Sequence, residues 1–151
     1  MDNNSVNLKG VKIAFALTGS FCTFDVAIVQ MENLCDLGAE IIPIMSDNAY
    51  STDTRFGTAA EFREQIEKLC GREIIHTIAG AEPLGPKRMA DILIVAPCTG
   101  NTMGKLAGGI TDTAVVNQRN SRASRRINKG FAMWDVSAMK SSHKLVGRVI
   151  R

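Results

Sequence analysis

The chain has 151 residues, is 45% hydrophobic and 5% aromatic, and has a formal net charge of +3, as expected of one α/β domain with a substantial core. No apolar run approaches the roughly 18 residues of a membrane span, and the first residues lack the charged and apolar regions of a secretory signal. The four cysteines have neither C-x-x-C spacing nor nearby histidines, so no metal site and no disulfide framework is predicted and a reducing cytoplasm is expected.

The first predicted strand, Val11 to Leu17, is apolar almost throughout, as in a strand buried on both faces of a parallel sheet. It leads into Thr18-Gly19-Ser20 and then into a helix that ends at Gly38. A strand, a glycine-containing loop and a helix form the phosphate-binding side of a doubly wound sheet, although a plain turn has equal weight. Cys22 lies near the helix start, where a thiolate is favoured, but a small packing residue is the preferred interpretation.

A second strand is predicted over Glu40 to Met45, and Pro43 places it near a sheet edge or a bulge. It ends at Ser46, on the same side of the sheet as the loop after the first strand. The polar loop that follows carries Arg55, which either clamps an anionic substrate or is an ordinary exposed arginine. Thr58 is the predicted N-cap of the next helix.

A short β-like run, Glu73 to Ile78, contains His76, which we expect to be structural rather than a general acid or base. A proline-rich loop over residues 81–88 then leads to the central predicted strand, Ile92 to Ala96. This run is short, apolar and β-branched, which favours a strand buried on both faces.

The stretch after the central strand is the best candidate for a ligand loop. Pro97 ends regular pairing, and Thr99-Gly100-Asn101-Thr102 precedes a helix predicted over Met103 to Ala107. Ligands bind at the carboxyl ends of strands in open parallel sheets, where helix N-termini suit anions. The alternative is a plain turn in which Asn101 or Thr102 caps the helix.

This stretch resembles the Pro-x-(Ser/Thr)-(Ala/Gly)-Asn-Thr-x-x-Lys-x-Ala-x-Gly-Ile-x-Asp signature of the flavoprotein family that includes the flavin-dependent peptidyl-cysteine decarboxylases. The matching residues are Pro97, Thr99, Gly100, Asn101, Thr102, Lys105, Ala107, Gly109, Ile110 and Asp112. Stretches 17–23, 53–57 and 81–87 further resemble the branch formed by the B subunits of dipicolinate synthases. The similarity runs from about Leu8 to Val115 in the right order and spacing.

The resemblance implies a doubly wound, mostly parallel α/β sheet of the Rossmann-like flavoprotein kind. It implies FMN as cofactor and oxidation of a dihydrodipicolinate-level precursor to dipicolinic acid in sporulating bacteria. The partner would be the A subunit of dipicolinate synthase, which carries NAD(P). Family members form trimers or dodecamers with flavin at subunit contacts, so a homo-oligomer is expected, whereas membrane and nucleic-acid partners are not.

The resemblance, together with three loops at the carboxyl ends of strands, suggests the cofactor-binding residues Gly19, Ser20, Ser46, Thr99, Gly100, Asn101 and Thr102. Arg55 and Asn101 are the candidate substrate-binding residues. The catalytic residue is unassigned, because Pro83 stands where the cysteine decarboxylases carry a catalytic histidine, which disfavours their mechanism. A non-catalytic assembly partner with the same fold and an FMN-dependent decarboxylase-like flavoprotein are the alternatives.

The end of the chain differs from this pattern in charge and composition. Residues 1–116 hold 9 Lys and Arg against 14 Asp and Glu, a net charge of −5, whereas residues 117–151 hold 9 against one, a net charge of +8. We therefore predict an α/β domain over 1–116 and a basic, disordered tail over 117–151, with nucleic-acid binding by the tail as a weaker alternative. Since residues 131–134 and 144–146 look too short to replace a strand and its helix, the tail is interpreted as a frameshift or truncation product and the fold as C-terminally incomplete.

Overall fold

The computed structural model of the chain describes residues 6–120 and 130–133. The strands in this part of the chain are β1 (Lys12–Leu17), β2 (Glu40–Met45), β3 (Ile92–Val95) and β4 (Gly130–Met133). The helices are α1 (Phe24–Asp36), α2 (Asp47–Ser51), α3 (Ala59–Cys70), α4 (Ile78–Ala81), α5 (Gly100–Gly108) and α6 (Ala114–Asn120). Two 3₁₀ turns, Phe21–Thr23 and Glu82–Leu84, precede α1 and follow α4.

The four strands form one parallel sheet in the order β2-β1-β3-β4. The chain moves outward from β1 to β2, then returns across β1 to place β3 on its other side. The strand order therefore reverses between β1 and β3, which is where the carboxyl ends of an open parallel sheet leave a crevice.

Both faces of the sheet are buried, which explains the nearly continuous apolar strands. One face presents Ile13, Phe15 and Leu17 of β1 to α1 and α3. The other presents the small side chains of Ala14 and Ala16 to a cluster whose further members include Ala81, Leu84, Leu93, Val95, Ala114 and Val115. The doubly wound α/β fold predicted from the sequence is confirmed.

Helix α3 begins and ends with strong local signals. Thr58 accepts a hydrogen bond from the Glu61 N–H (3.2 Å), and the Glu61 carboxylate accepts from the Thr58 N–H (2.8 Å), which confirms Thr58 as N-cap. The Thr58 N–H and, after it, the Thr58 hydroxyl (2.9 Å) donate to the Glu61 carboxylate and lower its pKa below the usual value. The stabilisation from these two bonds is therefore present at neutral pH and is lost as the pH falls through that lowered pKa. Gly71 ends the helix in the left-handed conformation (φ +67°).

Pro43 lies in β2 where its missing N–H disrupts no bond to β1. Its carbonyl accepts from the Ile75 N–H (2.9 Å), so its backbone groups point away from β1. Ile75 is the only residue of the predicted Glu73 to Ile78 strand that pairs, through an isolated bridge to Ile44. The β-like run predicted over Glu73 to Ile78 is therefore reduced to this bridge. Its end belongs to a helix, since Thr77 caps α4 by accepting from the Gly80 N–H (3.0 Å).

The predicted tail contains regular structure where its residues are described. Gly130–Met133 pairs in parallel register with Ile92–Val95, so this part of the tail supplies a strand, contrary to the prediction. Residues 144–146 lie outside the described part. Helix α6 runs across the proposed boundary between residues 116 and 117. The division at that boundary remains a prediction, and residues 121–129 and 134–151 lie outside the described part.

Within residues 6–120 and 130–133, no helix is long and apolar enough to cross a membrane. The same ranges contain no group of three or more His, Cys, Asp or Glu side chains placed to hold a metal ion.

The thiols test the packing of α1 against α3. Burial, followed by the neighbouring Cys35 and opposed by Arg72, raises the pKa of Cys70 to about 12, and burial also raises the pKa of Cys35. Because the thiolate is the reactive form, we expect iodoacetamide near neutral pH to modify the exposed Cys22 well before Cys70. Peptide mass mapping over time measures this order. Equal rates of modification of Cys22 and Cys70 in the folded protein would contradict it, whereas equal rates are expected once the protein is unfolded in urea.

Candidate functional site

Three loops meet at the edge of the sheet formed by the carboxyl ends of its strands, which we call the carboxyl edge. They follow β1, β2 and β3 and begin at Thr18, Ser46 and Ala96. The Ser46 N–H donates to the Leu17 carbonyl (3.0 Å) and the Ala96 N–H to the Ala16 carbonyl (2.9 Å), so the strand ladder continues to the start of each loop. The structure therefore brings together the loops that the sequence predicts as a site.

Thr18 joins the loop after β1 to the loop after β3. Its hydroxyl donates to the Pro97 carbonyl (2.6 Å) and accepts from the Thr99 N–H (3.0 Å), and its own N–H also donates to Pro97 (3.2 Å). The residue is 1% exposed, and the Ala96–Pro97 bond beside it is cis. Sequence reasoning did not identify Thr18 as a functional residue, because its partners lie about 80 positions away; its place directly after a buried strand was the one available signal.

Thr99, rather than Asn101 or Thr102, caps α5. Its hydroxyl accepts from the Thr102 N–H (3.3 Å) and lies 3.0 Å from the Thr102 hydroxyl. The helix begins at Gly100, three residues before the predicted start at Met103, so both the helix boundary and the alternative caps are corrected. Thr102 is 7% exposed, so its hydroxyl faces the interior, where it pairs with the Thr99 hydroxyl and supports the cap.

Because Thr99 caps α5, the Asn101 side chain is not needed as a cap and is available to bind a ligand. It is exposed in the first turn of α5, and its side chain makes no hydrogen bond to any residue the structure describes. The N–H groups of Gly100 and Asn101 likewise have no acceptor among those residues, as expected for the first turn of a helix. A Cβ at Gly100 would meet nothing within 4 Å, so the approach to these donors is open.

Gly19 and Ser20 line the other side of the crevice and are half-buried. A Cβ at Gly19 would lie 3.6 Å from the Asn48 Cβ, an ordinary contact, so packing within the described chain does not require glycine there. The Ser20 hydroxyl lies 3.9 Å from the Cys22 sulfur, and Cys22 is exposed. The preferred interpretation of Cys22 as a small packing residue is therefore wrong.

Ser46 is the N-cap of α2 and accepts from the Ala49 N–H (3.3 Å). Helices α1, α2 and α5 all start at the carboxyl edge, where their N-termini favour anions. The first turns of α1 and α2 already contain Asp25 and Asp47, whereas that of α5 contains no acidic residue. The α5 N-terminus is therefore the most suitable of the three for a phosphate.

Arg55 lies apart from these loops on a tight turn, Thr54–Gly57. Its guanidinium carbon is 4.9 Å from the centre of the Phe56 ring. No hydrogen bond or ion pair joins Arg55 to the carboxyl edge within the described residues. The structure thus groups the predicted cofactor residues but does not bring Arg55 into contact with them.

His76 has a packing role in the structure. Its ring stacks on Tyr50, with centroids 3.6 Å apart and planes 10° apart. The Arg63 guanidinium carbon lies 4.5 Å from the same Tyr50 ring. This agrees with the structural interpretation of His76.

Thr18→Val tests the bridge between the loops. Valine has a similar shape but leaves the Thr99 N–H without an acceptor, so we expect a loss of about 1–3 kcal/mol in the free energy of unfolding. Thr18→Ser keeps the hydroxyl and should retain most of that stability. Urea denaturation measures both; equal stability of Thr18→Val and the wild type would show that the bridge contributes nothing.

The chain is similar to known flavoproteins over most of its length. The model of the family described as Flavoprotein matches residues 1–141, which extends past Val115, where the resemblance was expected to end. The chain is 49% identical over 139 residues to the B subunit of dipicolinate synthase from Bacillus subtilis, covering 91% of this chain and 70% of that protein. It is 34% identical over 116 residues to the coenzyme A biosynthesis bifunctional protein CoaBC of Thermococcus kodakarensis, covering 74% of this chain and 27% of that protein.

Solved structures show the same similarity. The B subunit of dipicolinate synthase from Bacillus halodurans superposes with a TM-score of 0.70 and 33% identity, covering 95% of this chain and 72% of that one. The FMN-dependent cysteine decarboxylase SpaF gives a TM-score of 0.59 at 22% identity, covering 95% and 78%, which indicates a shared fold.

Proposed function

The chain belongs to the Flavoprotein family, and from this premise we propose that it binds FMN at the carboxyl edge and acts as the B subunit of a dipicolinate synthase. The observation that carries the cofactor proposal is the α5 N-terminus, whose Gly100 and Asn101 N–H groups have no acceptor within the described residues and lie beside the β1–β3 crevice. A phosphate-bearing cofactor suits this place for three reasons. The N–H donors are available, the first turn of α5 contains no acidic residue, and the strand order reverses beside it.

In this proposal Gly19, Ser20, Ser46, Thr99, Gly100, Asn101 and Thr102 surround the cofactor. Thr99 and Thr102 fix the first turn through their paired hydroxyls, while Gly100 and Asn101 offer N–H donors. Gly19 contributes by having no side chain. Packing within the described chain would tolerate a Cβ at this position, so the space is open to a ligand. A flat flavin ring could then approach the Gly19 backbone closely.

Bound FMN would supply a two-electron acceptor for oxidation of a dihydrodipicolinate-level diacid to dipicolinic acid. The Asn101 amide can both donate and accept hydrogen bonds, so it suits a substrate carboxylate or a ring nitrogen. Arg55 is the second proposed carboxylate partner. Because it makes no bond to the carboxyl edge within the described residues, that role requires substrate to reach the Thr54–Gly57 turn.

The proposal places the chain with the A subunit of dipicolinate synthase, a nicotinamide-binding partner using NAD(P), in the cytoplasm of sporulating bacteria. The chain itself would form a homo-oligomer, a trimer or dodecamer as expected from the resemblance. The relatives that support this assignment are the two B subunits, at 49% and 33% identity.

A non-catalytic assembly role is the second candidate, and one observation favours it. The residues that we place against the cofactor are Ser, Thr, Gly and Asn, without a general acid or base among them. Pro83, in a 3₁₀ turn, cannot replace the histidine of the decarboxylases. The catalytic residue of this chain therefore stays unassigned.

FMN titration tests the cofactor proposal directly. We expect quenching of flavin fluorescence with saturable binding and a raised melting temperature, because a ligand of the native state stabilises it. A protein purified without visible flavin absorbance and without a titration signal would exclude FMN binding. Full activity of the assembled A and B subunits in the absence of flavin would favour the assembly role.

Asn101→Asp tests the placement of the site. Aspartate in the first turn of α5 suits the helix dipole, so thermal stability should be retained. It also places a negative charge beside bound phosphate or carboxylate, so FMN or dipicolinate binding should weaken by about tenfold or more, roughly 1.4 kcal/mol.

The matched control is Asn33→Asp, the same change at an exposed position near the end of α1, away from the carboxyl edge. Its affinity for FMN should equal that of the wild type. Unchanged binding by Asn101→Asp would show that Asn101 faces neither cofactor nor substrate.

A further inference from the structure

Asn48 lies beside the open space over Gly19, on the side of the crevice that belongs to β2. A Cβ at Gly19 would lie 3.6 Å from the Asn48 Cβ and 3.8 Å from the Phe21 ring, and these are its two closest contacts. Gly19 also lacks the positive φ that favours glycine. Neither the backbone nor the packing of the described chain therefore explains why this space holds no side chain.

The Asn48 side chain has no structural task among the described residues. It is exposed and makes no hydrogen bond to any of them. The cap of α2 is supplied by Ser46, which accepts from the Ala49 N–H (3.3 Å). Asparagine is also a poorer helix former than most polar residues, so helix propensity does not account for it. Its amide is therefore available both to donate and to accept hydrogen bonds.

The backbone of Asn48 is held in place although α2 is short. The Ser46 N–H donates to the Leu17 carbonyl (3.0 Å), and the Asn48 carbonyl accepts from the Thr52 N–H (3.1 Å). The next residue, Ala49, is 0% exposed and belongs to the core. A side chain that starts from a fixed backbone loses less freedom on binding, which favours a specific hydrogen bond.

The charges near Asn48 favour the uncharged part of a ligand. Asp47 and Asp25 lie in the first turns of α2 and α1 at the same edge, and carboxylates repel an anion. The phosphate site that we propose at α5 follows β3, and β1 with its Gly19 loop separates it from α2. A cofactor with its phosphate at α5 therefore brings its uncharged part over Gly19, where the half-buried Phe21 ring forms an apolar wall.

We propose that Asn48 is a further cofactor-binding residue, whose amide forms hydrogen bonds with the flavin ring while that ring occupies the space between Asn48 and Phe21. This inference rests on the proposed binding of FMN, and it names the side chain that recognises the ring rather than the phosphate. The imide edge of a flavin carries carbonyl acceptors on both sides of an N–H donor. An asparagine amide matches this edge because it offers both a donor and an acceptor.

Titration of three variants with FMN tests the contact. Asn48→Leu keeps a side chain of similar size without hydrogen bonds, so the affinity should fall about tenfold. Gly19→Ala should keep its melting temperature without FMN but fill part of the space for the ring, so its affinity should fall by a similar factor. The double variant should bind no more weakly than Gly19→Ala alone, because a displaced ring no longer reaches the amide.

Infrared spectra of the FMN-saturated proteins test which part of the cofactor Asn48 contacts. A hydrogen bond lowers the stretching frequency of a carbonyl, so a ring carbonyl band of bound FMN should shift to higher frequency in Asn48→Leu. The matched control is Asn33→Leu, the same change at an exposed position near the end of α1. Its affinity and its carbonyl bands should equal those of the wild type.

The outcomes separate this inference from the cofactor proposal. A wild type that gives no FMN signal would overturn both. If the wild type binds FMN, three results would each overturn the role of Asn48 alone: an unchanged affinity of Asn48→Leu, additive losses in the double variant, or an unshifted carbonyl band.

Discussion

The Thr18 hydroxyl is the interaction on which the arrangement of the carboxyl edge depends. It lies where the strand order reverses, so the loops after β1 and β3 leave the sheet side by side and need a link. By donating to Pro97, this buried hydroxyl gives the Pro97 carbonyl a second donor beside the Thr18 N–H. By accepting from the Thr99 N–H, it supplies a partner to a donor that would otherwise be desolvated and unpaired. Because Thr99 is also the N-cap of α5, the direction of that helix follows from the same bonds.

The composition of β1 explains why the edge has helices on both sides. Its large side chains, Ile13, Phe15 and Leu17, fill the wide space under α1 and α3. Its alanines, Ala14 and Ala16, contact the second cluster, where α4 and α6 meet and where α5 also packs through Met103 and Leu106. Small residues there let the second layer approach the sheet closely, so the start of α5 lies beside the loop after β1. The geometry of the site is therefore a result of side-chain volume as well as hydrogen bonding.

Local patterns in the sequence were sufficient to predict the strands β1 and β2, the N-cap at Thr58 and the edge position of Pro43. Each of these features depends mainly on neighbouring residues in the sequence. The start of α5 was misplaced by three residues because Thr99 caps it while held by Thr18, a contact between residues 81 positions apart. Gly130–Met133 was dismissed because four residues look short, yet β3 supplies a parallel neighbour that the sequence cannot reveal. The predicted cofactor residues converge at one edge, and their contacts with FMN remain a prediction.

The position of Pro43 also has a consequence for how the protein behaves when crowded. Backbone groups alternate along β2, so those of residues 41, 43 and 45 point outward from β1. Pro43 has no N–H, and the Met45 N–H is already bonded to Ile75 (2.9 Å), which leaves Ile41 as the one outward donor of β2 with no partner in the described structure. A strand needs a row of donors and acceptors to template another chain. This margin of the sheet therefore offers few of the backbone groups that edge-to-edge pairing with another chain requires.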